Sequence, residues 1–179
     1  MTDEQLMSLI KDGSISYLNE LFNRYSKRLY NYFLKSTLDK SESDDLTQEL
    51  FMRVIKYKKS FKEDNVFEYW IFQIARNMIK DHFRKLKVHT DKFNLVEEFP
   101  EMESDDNKVQ LEKEQRLYEA MKELPFEKRE LLVLSKFQGM KYEQIAKLRE
   151  TTVANIKVQV HRSIKELKNI YFEVEQLNK

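Results

Sequence analysis

Only two glycines and two prolines occur in the 179 residues, and this scarcity limits the possible folds more than any other feature. Sheet proteins with tight turns need glycine or proline at many positions, whereas helices run longest where both residues are absent. The chain is also 41% hydrophobic and 35% charged, a balance that suits amphipathic helices around a limited core. The composition therefore predicts an all-α fold and argues against a many-stranded sheet.

Apolar residues along the N-terminal half recur at spacings of three and four, the period of amphipathic helices. Trp70 falls within the apolar stripe of the fourth such pattern, which favours a place in the core. We expect residues 1–92 to fold as one four-helix unit, with the polar stretch DKSESDD as the break before the third helix. The predicted helices are Asp3–Lys11, Ser16–Ser36, Ser43 or Asp44 to Lys59, and Val66–Lys87.

A second series of helical patterns begins near Val109. Pro125 and Gly139 end two of them, as expected of a helix-breaking residue and of a residue that tolerates the left-handed conformation. A short turn joins the last two, which is typical of a helix-turn-helix. Residues 109–179 are therefore predicted to form a second four-helix unit. Its predicted helices are 109–124, 127–138, Tyr142–Leu148 and Thr152–Lys168.

Charge is distributed unevenly along the chain, although the net charge is only +1 from 32 basic and 31 acidic residues. The balance excludes a uniformly basic nucleic-acid binder. Residues 76–87 and 157–168 are basic, whereas Glu97–Asp106 between them is acidic, contains a proline and has little helical period. We predict an acidic linker over 93–108 between the two helical units.

The outward side of the last helix carries small and basic residues that suit the major groove of DNA. Lys157 and Arg162 can donate to guanine or to phosphates, Asn155 can pair with adenine, and Val158 can touch a thymine methyl group. On these residues alone, a solvated basic helix in an ordinary bundle remains the alternative. The candidate DNA-reading residues are Ala154, Asn155, Lys157, Val158, His161, Arg162 and Lys165.

Four stretches resemble a known family when they are taken together and in order: DDLTQELFMRVIKYKKSF, FEYWIFQIARNMIKDHFRK, LPFEKRELLVLSKFQGMKYEQIAKL and VANIKVQVHRSIKEL. They resemble the extracytoplasmic-function (ECF) sigma factors, the minimal form of the major bacterial sigma family. The first two resemble the region 2 helices that dock on RNA polymerase and handle the −10 promoter element. The last two resemble region 4, which reads the −35 element.

The resemblance implies that the chain directs core RNA polymerase to specific promoters and initiates transcription. The implied partners are promoter DNA and core polymerase, through its β′ clamp helices and β flap. A carboxylate and an amide on a rigid helix can accept strong hydrogen bonds from arginines of the clamp helices. The matching positions lie on the exposed side of the third helix, and the predicted polymerase-binding residues are Asp45, Gln48, Glu49 and Arg53.

Promoter opening is implied to depend on the capture of unpaired bases, because no glycine-rich loop that would bind ATP is present. Aromatic and polar groups that hold flipped bases can offset the cost of unstacking them. In the family, the loop before the fourth helix forms a pocket for a flipped −10 base, and donors on that helix hold the strand. The matching residues are Phe61, Lys62, Asp64, Asn65, Arg76, Asn77, Lys80 and Arg84.

The chain departs from the family pattern in three places. Arg149, Glu150 and Thr151 replace the usual leucine, glycine and apolar residue of the turn. A residue other than glycine at positive φ costs about 1 kcal/mol, so we expect the turn, and with it the angle of the recognition helix, to differ. Gln73 and Gln159 stand where arginines are common, which predicts weaker or differently tuned DNA contacts.

Other classes of function have less support. Cysteine is absent, and the histidines fall in different predicted elements, so we predict no enzyme, no metal site and no cofactor. Two alternatives remain: a helix-turn-helix regulator that binds operator DNA independently of polymerase, and a helical adaptor that binds only proteins. The histidines are His82, His89 and His161.

The N-terminal stretch MTDEQLMSLIKDG lacks the basic and apolar segments of a signal peptide, and no run approaches the roughly 20 apolar residues of a spanning helix. We therefore expect a cytoplasmic protein without membrane insertion.

Many members of the family that this chain resembles are held inactive by an anti-sigma factor, which is a further candidate partner. In the family, the linker threads through basic polymerase channels, which would attract acidic residues.

Overall fold

The computed structural model describes residues 1–62, 64–89 and 108–177. Every regular element among these residues is helical, which confirms the predicted all-α class. The chain divides into two compact units, Met1–Asn94 and Leu95–Lys179. The predicted acidic linker, 93–108, lies outside the described residues except for Lys108.

Four α-helices make up the described part of the first unit, as the periodicity predicted. Its core is rich in aromatic rings, among them Tyr32, Phe33 and Phe72, and it includes Trp70 as expected. Buried rings of this size contribute most of the hydrophobic stabilisation of a small unit. The helices are α1 (Asp3–Lys11), α2 (Leu18–Thr37), α3 (Lys40–Tyr57) and α4 (Phe67–His89), with 3₁₀ turns at Ile15–Tyr17 and Lys58–Ser60.

The corner between α2 and α3 is tighter than the sequence pattern predicts. Leu38 ends α2 in the left-handed conformation with φ of 62°, and Asp39 caps α3 by accepting from the Glu42 backbone N–H at 2.9 Å. Ser43 lies buried and donates to the Asp39 carbonyl. The predicted start of α3 at Ser43 or Asp44 is therefore wrong, because the Asp39 cap lets the helix begin at Lys40 and leaves Ser43 inside its first turns.

The second unit contains four α-helices among the described residues. A π-helical segment, Val133–Phe137, follows α6 within the helix that was predicted to be continuous. Gly139 comes next with φ of 62°, as predicted for the residue after a helix. The helices are α5 (Lys108–Glu123), α6 (Phe126–Leu132), α7 (Tyr142–Leu148) and α8 (Val153–Leu177).

Helix α8 packs on α5, α6 and α7 and continues to Leu177 rather than ending at the predicted Lys168. Ile156 and Val160 of its apolar stripe are buried. Beyond the predicted end, Tyr171 remains half-buried, and the Arg116 guanidinium of α5 lies 5.9 Å from its ring centroid. This contact with α5 explains the longer helix, because packing stabilises turns that propensity alone leaves marginal.

Candidate nucleic-acid and protein interfaces

The predicted polymerase-binding residues lie on one exposed side of α3, which we call the α3 face (Asp45, Gln48, Glu49, Arg53). The opposite side of the helix packs Leu46, Leu50 and Val54 into the core, which fixes the direction of the exposed side chains. The Glu49 carboxylate forms an i,i+4 ion pair with Arg53, with an N–O distance of 2.6 Å. The α3 face therefore presents carboxylates and one amide on a rigid helix.

Met52 is a residue of the α3 surface that the sequence prediction missed. Its side chain is 66% exposed and lies one turn from both Gln48 and Lys56. The sequence did contain a signal for this exposed residue: Met52 is apolar but does not belong to the inward-facing stripe of α3. Because methionine is flexible and polarisable, Met52 places an adaptable apolar side chain on a polar surface.

Phe61 is not available to stack on a flipped base, which corrects its predicted role. Its side chain is only 2% exposed, and its ring packs edge-on against Phe67 and Trp70 at centroid distances of 6.1 and 5.4 Å. The prediction treated 60–67 as a loop with outward side chains. The reason it fails is that a large apolar ring next to an aromatic cluster gains more from burial than from exposure to water.

The residues that follow Phe61 are exposed as predicted. We use the name α3–α4 segment for residues 58–66, which join the two helices. Lys62, Asp64 and Asn65 all point to solvent, and the Asn65 backbone N–H donates to the Lys62 carbonyl at 3.0 Å. The described residues of the α3–α4 segment thus include a buried anchor, Phe61, followed by an exposed cation, carboxylate and amide.

Helix α4 presents a narrower polar surface than predicted. Asn77, Lys80 and Arg84 are exposed at spacings of three and four, and Arg84 is paired with Asp81 at 2.9 Å. Arg76, in contrast, is only 7% exposed, and the prediction that it lies on this polar side is wrong. Arg76 lies on the buried side of α4. This side is wide because α4 packs against three other helices, α1, α2 and α3.

The turn between α7 and α8 closes without glycine. Glu150 takes φ of 53°, which is the positive-φ position expected from the sequence departure. Its N–H donates to the Lys147 carbonyl at 3.2 Å, and the Thr151 N–H donates to the Ala146 carbonyl at 2.9 Å. These two bonds form a Schellman motif, so the usual helix end is preserved although a glutamate occupies the glycine position. The expectation that this turn differs in shape is therefore wrong, because Glu150 accepts the left-handed conformation.

The candidate DNA-reading residues form one exposed surface, the α8 face (Ala154, Asn155, Lys157, Val158, His161, Arg162, Lys165). Val158 is 47% exposed, as a thymine-methyl contact requires. Thr152 caps the helix by accepting from the Asn155 N–H at 3.2 Å. The Asn155 side-chain amide donates to the Thr151 hydroxyl at 2.8 Å, so one of its two N–H groups already stabilises the turn.

Helix α1 makes three contacts with the α3–α4 segment and its junction with α4 that the sequence did not predict. The Lys58 ammonium donates to the Ile10 carbonyl at 2.8 Å, and the Lys11 ammonium donates to the Phe61 carbonyl at 2.9 Å. Glu4 Oε1 accepts from the Phe67 backbone N–H at 3.1 Å. This bond is the main reason that the pKa of Glu4 is lowered. Periodicity gives no signal for such contacts, because they depend on tertiary packing.

The N-terminal end of α1 is tied to α2. Asp3 accepts hydrogen bonds from Arg24, at 2.6 Å, and from the Tyr25 hydroxyl. Burial and the neighbouring Asp3 carboxylate raise the pKa of Tyr25, so its hydroxyl remains a donor at neutral pH.

Among the described residues, no group of three histidine, aspartate or glutamate side chains is arranged to hold a metal ion. None of the helices described is long and apolar enough to cross a membrane.

Comparison with protein families matches both units of the chain. The family model of Sigma-70 region 2 matches residues 21–88, and that of Sigma-70 region 4 matches residues 114–167. The first match includes α3 and all of α4 except its last residue, and the second includes α7 and the part of α8 that carries the α8 face. The surfaces described above therefore fall within the two matched regions, whereas α1 does not.

Relatives and solved structures agree with this match. The chain is 30% identical to the ECF RNA polymerase sigma factor SigM of Bacillus subtilis over 155 residues, which cover 86% of this chain and 94% of SigM. It is 27% identical to the RNA polymerase sigma factor CarQ of Myxococcus xanthus over 172 residues, 94% of this chain and 97% of CarQ.

Two solved structures have a similar fold. CnrH in complex with the cytosolic domain of CnrY aligns with a TM-score of 0.72 at 20% identity, covering 94% of this chain and 96% of CnrH. The sigma factor RpoE of Bartonella quintana, in complex with the anti-sigma factor NepR, aligns with a TM-score of 0.69 at 21% identity, covering 85% and 94%. Both family models, the identity to SigM and the all-α fold lead to one conclusion: the chain belongs to the ECF RNA polymerase sigma factors.

Proposed function

We propose that this chain directs core RNA polymerase to specific promoters and initiates transcription there without hydrolysing ATP. The observation that carries the proposal is the presence, in one chain and in family order, of a region 2 match and a region 4 match. A regulator that binds an operator alone needs only a helix-turn-helix and has no use for the first unit. Core polymerase supplies all the chemistry, and the chain supplies recognition.

In this proposal, the α3 face binds the β′ clamp helices. Asp45 and Glu49 accept charge-assisted hydrogen bonds from basic groups of the clamp, and Gln48 adds a neutral acceptor. Arg53 pairs with Glu49 in the free protein and becomes a donor to the partner when that carboxylate is engaged. Met52 packs against the apolar part of the same surface.

The exposed part of the α3–α4 segment captures the opened −10 strand. Lys62 attracts the phosphate backbone, and Asp64 and Asn65 hydrogen-bond to the edge of an unpaired base. Along α4, Asn77, Lys80 and Arg84 bind the adjacent backbone. Phe61 is buried and cannot serve as an aromatic platform for a base. Polar groups therefore perform most of the capture.

The α8 face reads the −35 element from the major groove. Arg162 and Lys157 are exposed donors for guanine or phosphate, and Ala154 permits close approach near the start of the helix. Lys165, further along, binds the phosphate backbone. Asn155 donates one amide N–H to Thr151, and its second N–H and its oxygen serve the adenine contact.

The domain assignment follows from these roles: region 2 over 1–92, an acidic linker over 93–108, and region 4 over 109–179, which also binds the β flap. The linker enters a basic channel of polymerase through electrostatic attraction. The site of action is the cytoplasm, where core polymerase works. An anti-sigma factor is a proposed further partner, since the similar RpoE is bound to one.

Reconstitution tests the proposal directly. The purified chain is added to core RNA polymerase from the same organism, the mixture transcribes a library of genomic fragments, and the 5′ ends of the transcripts are sequenced. We expect discrete start points that core polymerase alone does not produce. Sequence-specific duplex binding without polymerase, combined with no new start points, would support an operator-binding regulator instead.

A further inference from the structure

Helix α1 holds the α3–α4 segment near its start and end, although it precedes residue 21, where the region 2 match begins. In the first half of the segment, Lys58 donates to the Ile10 carbonyl of α1. In return, Lys11 of α1 donates to the Phe61 carbonyl of the segment. At the far end, Glu4 accepts from the Phe67 N–H, the first backbone donor of α4. Because that donor has no partner within its own helix, Glu4 acts as a cap supplied by a separate helix.

The cap from Glu4 is favoured by charge as well as by geometry. A carboxylate near a helix N-terminus is stabilised by the partial positive charge of the unpaired N–H groups. Lys58 has the complementary role at the other end of α1, where it binds a carbonyl of the last turn. The lowered pKa of Glu4 has the Phe67 bond as its largest cause, so the carboxylate is ionised and acts as an acceptor at neutral pH.

Helix α1 is itself rigidly placed. Leu6, Met7 and Ile10 are completely buried, and Asp3 is bound to Arg24 and Tyr25 of α2. The Tyr25 ring also packs edge-on against Phe67 at a centroid distance of 5.3 Å. Displacement of α1 relative to α2 and α4 would therefore break core contacts. For this reason, the hydrogen bonds from α1 hold the α3–α4 segment in a fixed position.

The part of the segment between the anchors has the opposite character. Lys62, Asp64, Asn65 and Val66 are exposed, and no hydrogen bond joins their side chains to any other described residue. Their positions are set by the two ends of the segment, which α1 fixes. Preorganising a binding loop in this way lowers the entropy that is lost when it takes up a ligand.

We propose that α1 is a positioning element for capture of the opened −10 strand, and that Glu4 is its principal positioning residue. This inference rests on the proposed function. Glu4 touches no DNA in this proposal. It determines the path of the α3–α4 segment by fixing the start of α4, so its effect belongs to the opening of the promoter and is separate from docking on polymerase and from duplex binding.

The test compares three variants of the full-length chain in complex with core polymerase. Glu4→Ala removes the cap, Glu4→Gln keeps an acceptor oxygen, and Asp12→Ala is the matched control, because Asp12 is an exposed carboxylate at the other end of α1. The template is a fragment whose start point has been mapped by sequencing of transcript ends, with 2-aminopurine in its −10 region. Fluorescence of this base reports strand opening.

We expect Glu4→Ala to lower the opening equilibrium constant about tenfold, as the loss of a charged hydrogen bond implies. Affinity for core polymerase and for the −35 duplex should stay within about twofold, which is below the effect of one hydrogen bond. Glu4→Gln should recover most of the opening, and Asp12→Ala should match the unchanged chain.

Three results would overturn the inference. The first is equal opening by Glu4→Ala and the unchanged chain. The second is a parallel loss of core binding and opening, since α1 then serves only to hold the unit together. The third is no recovery in Glu4→Gln. Failure of the unchanged chain to open any mapped start point would instead contradict the proposed function itself, so the two failures are distinguishable.

Discussion

Phe61 lies edge-on against Trp70, with ring centroids 5.4 Å apart, and both side chains are buried. The pair joins the start of the α3–α4 segment to the core of the first unit, so that the exposed residues from Lys62 onward begin at a fixed point. Apolar anchoring thus belongs to Phe61, and the capture of DNA that we propose belongs to its exposed polar neighbours.

Replacement of Phe61 by alanine should destabilise the first unit rather than remove a DNA contact alone. Loss of a buried phenylalanine leaves a cavity and costs about 3–5 kcal/mol. Urea unfolding monitored by Trp70 fluorescence measures this change. Lys62→Ala, at the exposed neighbouring position, should change the free energy of unfolding by less than about 0.5 kcal/mol. Equal stability of the two variants would contradict the buried position of Phe61.

Glu150→Gly should stabilise the second unit. Glu150 occupies a left-handed position with φ of 53°, where a side chain costs about 1 kcal/mol relative to glycine. We expect the free energy of unfolding to rise by about that amount in thermal or chemical denaturation. Glu143→Gly is the control: its exposed position in the first turn of α7 is helical, so glycine there should destabilise by about 0.5–1 kcal/mol. Destabilisation by Glu150→Gly would show that the turn has another conformation.

Lys157→Ala and Arg162→Ala should each weaken binding to the −35 element by about 1–3 kcal/mol if they contact base edges. Both residues lie on the exposed α8 face. Fluorescence anisotropy with a −35 duplex at several salt concentrations measures the change and separates base contacts from phosphate contacts. Lys113→Ala, an exposed lysine on α5, removes the same charge elsewhere and is the control. Unchanged affinity in both test variants would remove these residues from the interface.

Glu49→Lys should lower the affinity for core polymerase and leave folding intact. The ion pair between Glu49 and Arg53 is exposed, and such pairs contribute only about 0.3–0.5 kcal/mol to stability. Glu20→Lys is a close control, because Glu20 is also paired at i,i+4 with an arginine and both glutamate side chains are 51% exposed. Surface plasmon resonance against core polymerase compares the two. An equal loss of polymerase affinity in both variants would contradict a specific role for the α3 face, and so would unchanged affinity in both.

The pH dependence of stability should contain a contribution from Glu4. Its folded-state pKa lies below the ordinary value of 4.5, mainly because the Phe67 N–H donates to the carboxylate. The stabilisation is therefore complete above pH 4.5 and is lost as the pH falls through the lowered pKa. Urea unfolding from about pH 6 to about pH 3 should show a smaller decline for Glu4→Gln than for the unchanged chain. Parallel profiles would mean that the bond does not form.

Several features could be predicted from the sequence because they are local. The spacing of Leu46, Leu50 and Val54 identifies the inward side of α3. On its other side Asp45, Gln48 and Glu49 are exposed as expected, and Arg53 is half-buried. The sequence identified Glu150 as the residue at the positive-φ position of the turn, and its φ of 53° agrees, although the expected change in the shape of the turn does not occur. In both cases the determining interactions lie within a few residues of the chain, so periodicity and turn chemistry suffice.

Other features depend on neighbours that are distant in sequence. Phe61 and Arg76 are both predicted as surface residues, and both are buried because helices from elsewhere in the unit cover them. The start of α3 at Lys40 depends on a cap by Asp39 that competes with an equally plausible cap at Ser43. Local rules supply several candidates at such places, and packing selects one of them.

The sequence by itself determined that the chain is helical, that it has two helical units of the sigma factor type, and which sides of α3 and α8 face outward, because helical period and motif order are properties of short stretches. Only the tertiary structure decided that Glu4 caps α4 across 63 positions of sequence and that Phe61 is an anchor. The physical reason is that a hydrogen bond or a buried ring needs a partner in space, and the helices supply that partner only after they have packed.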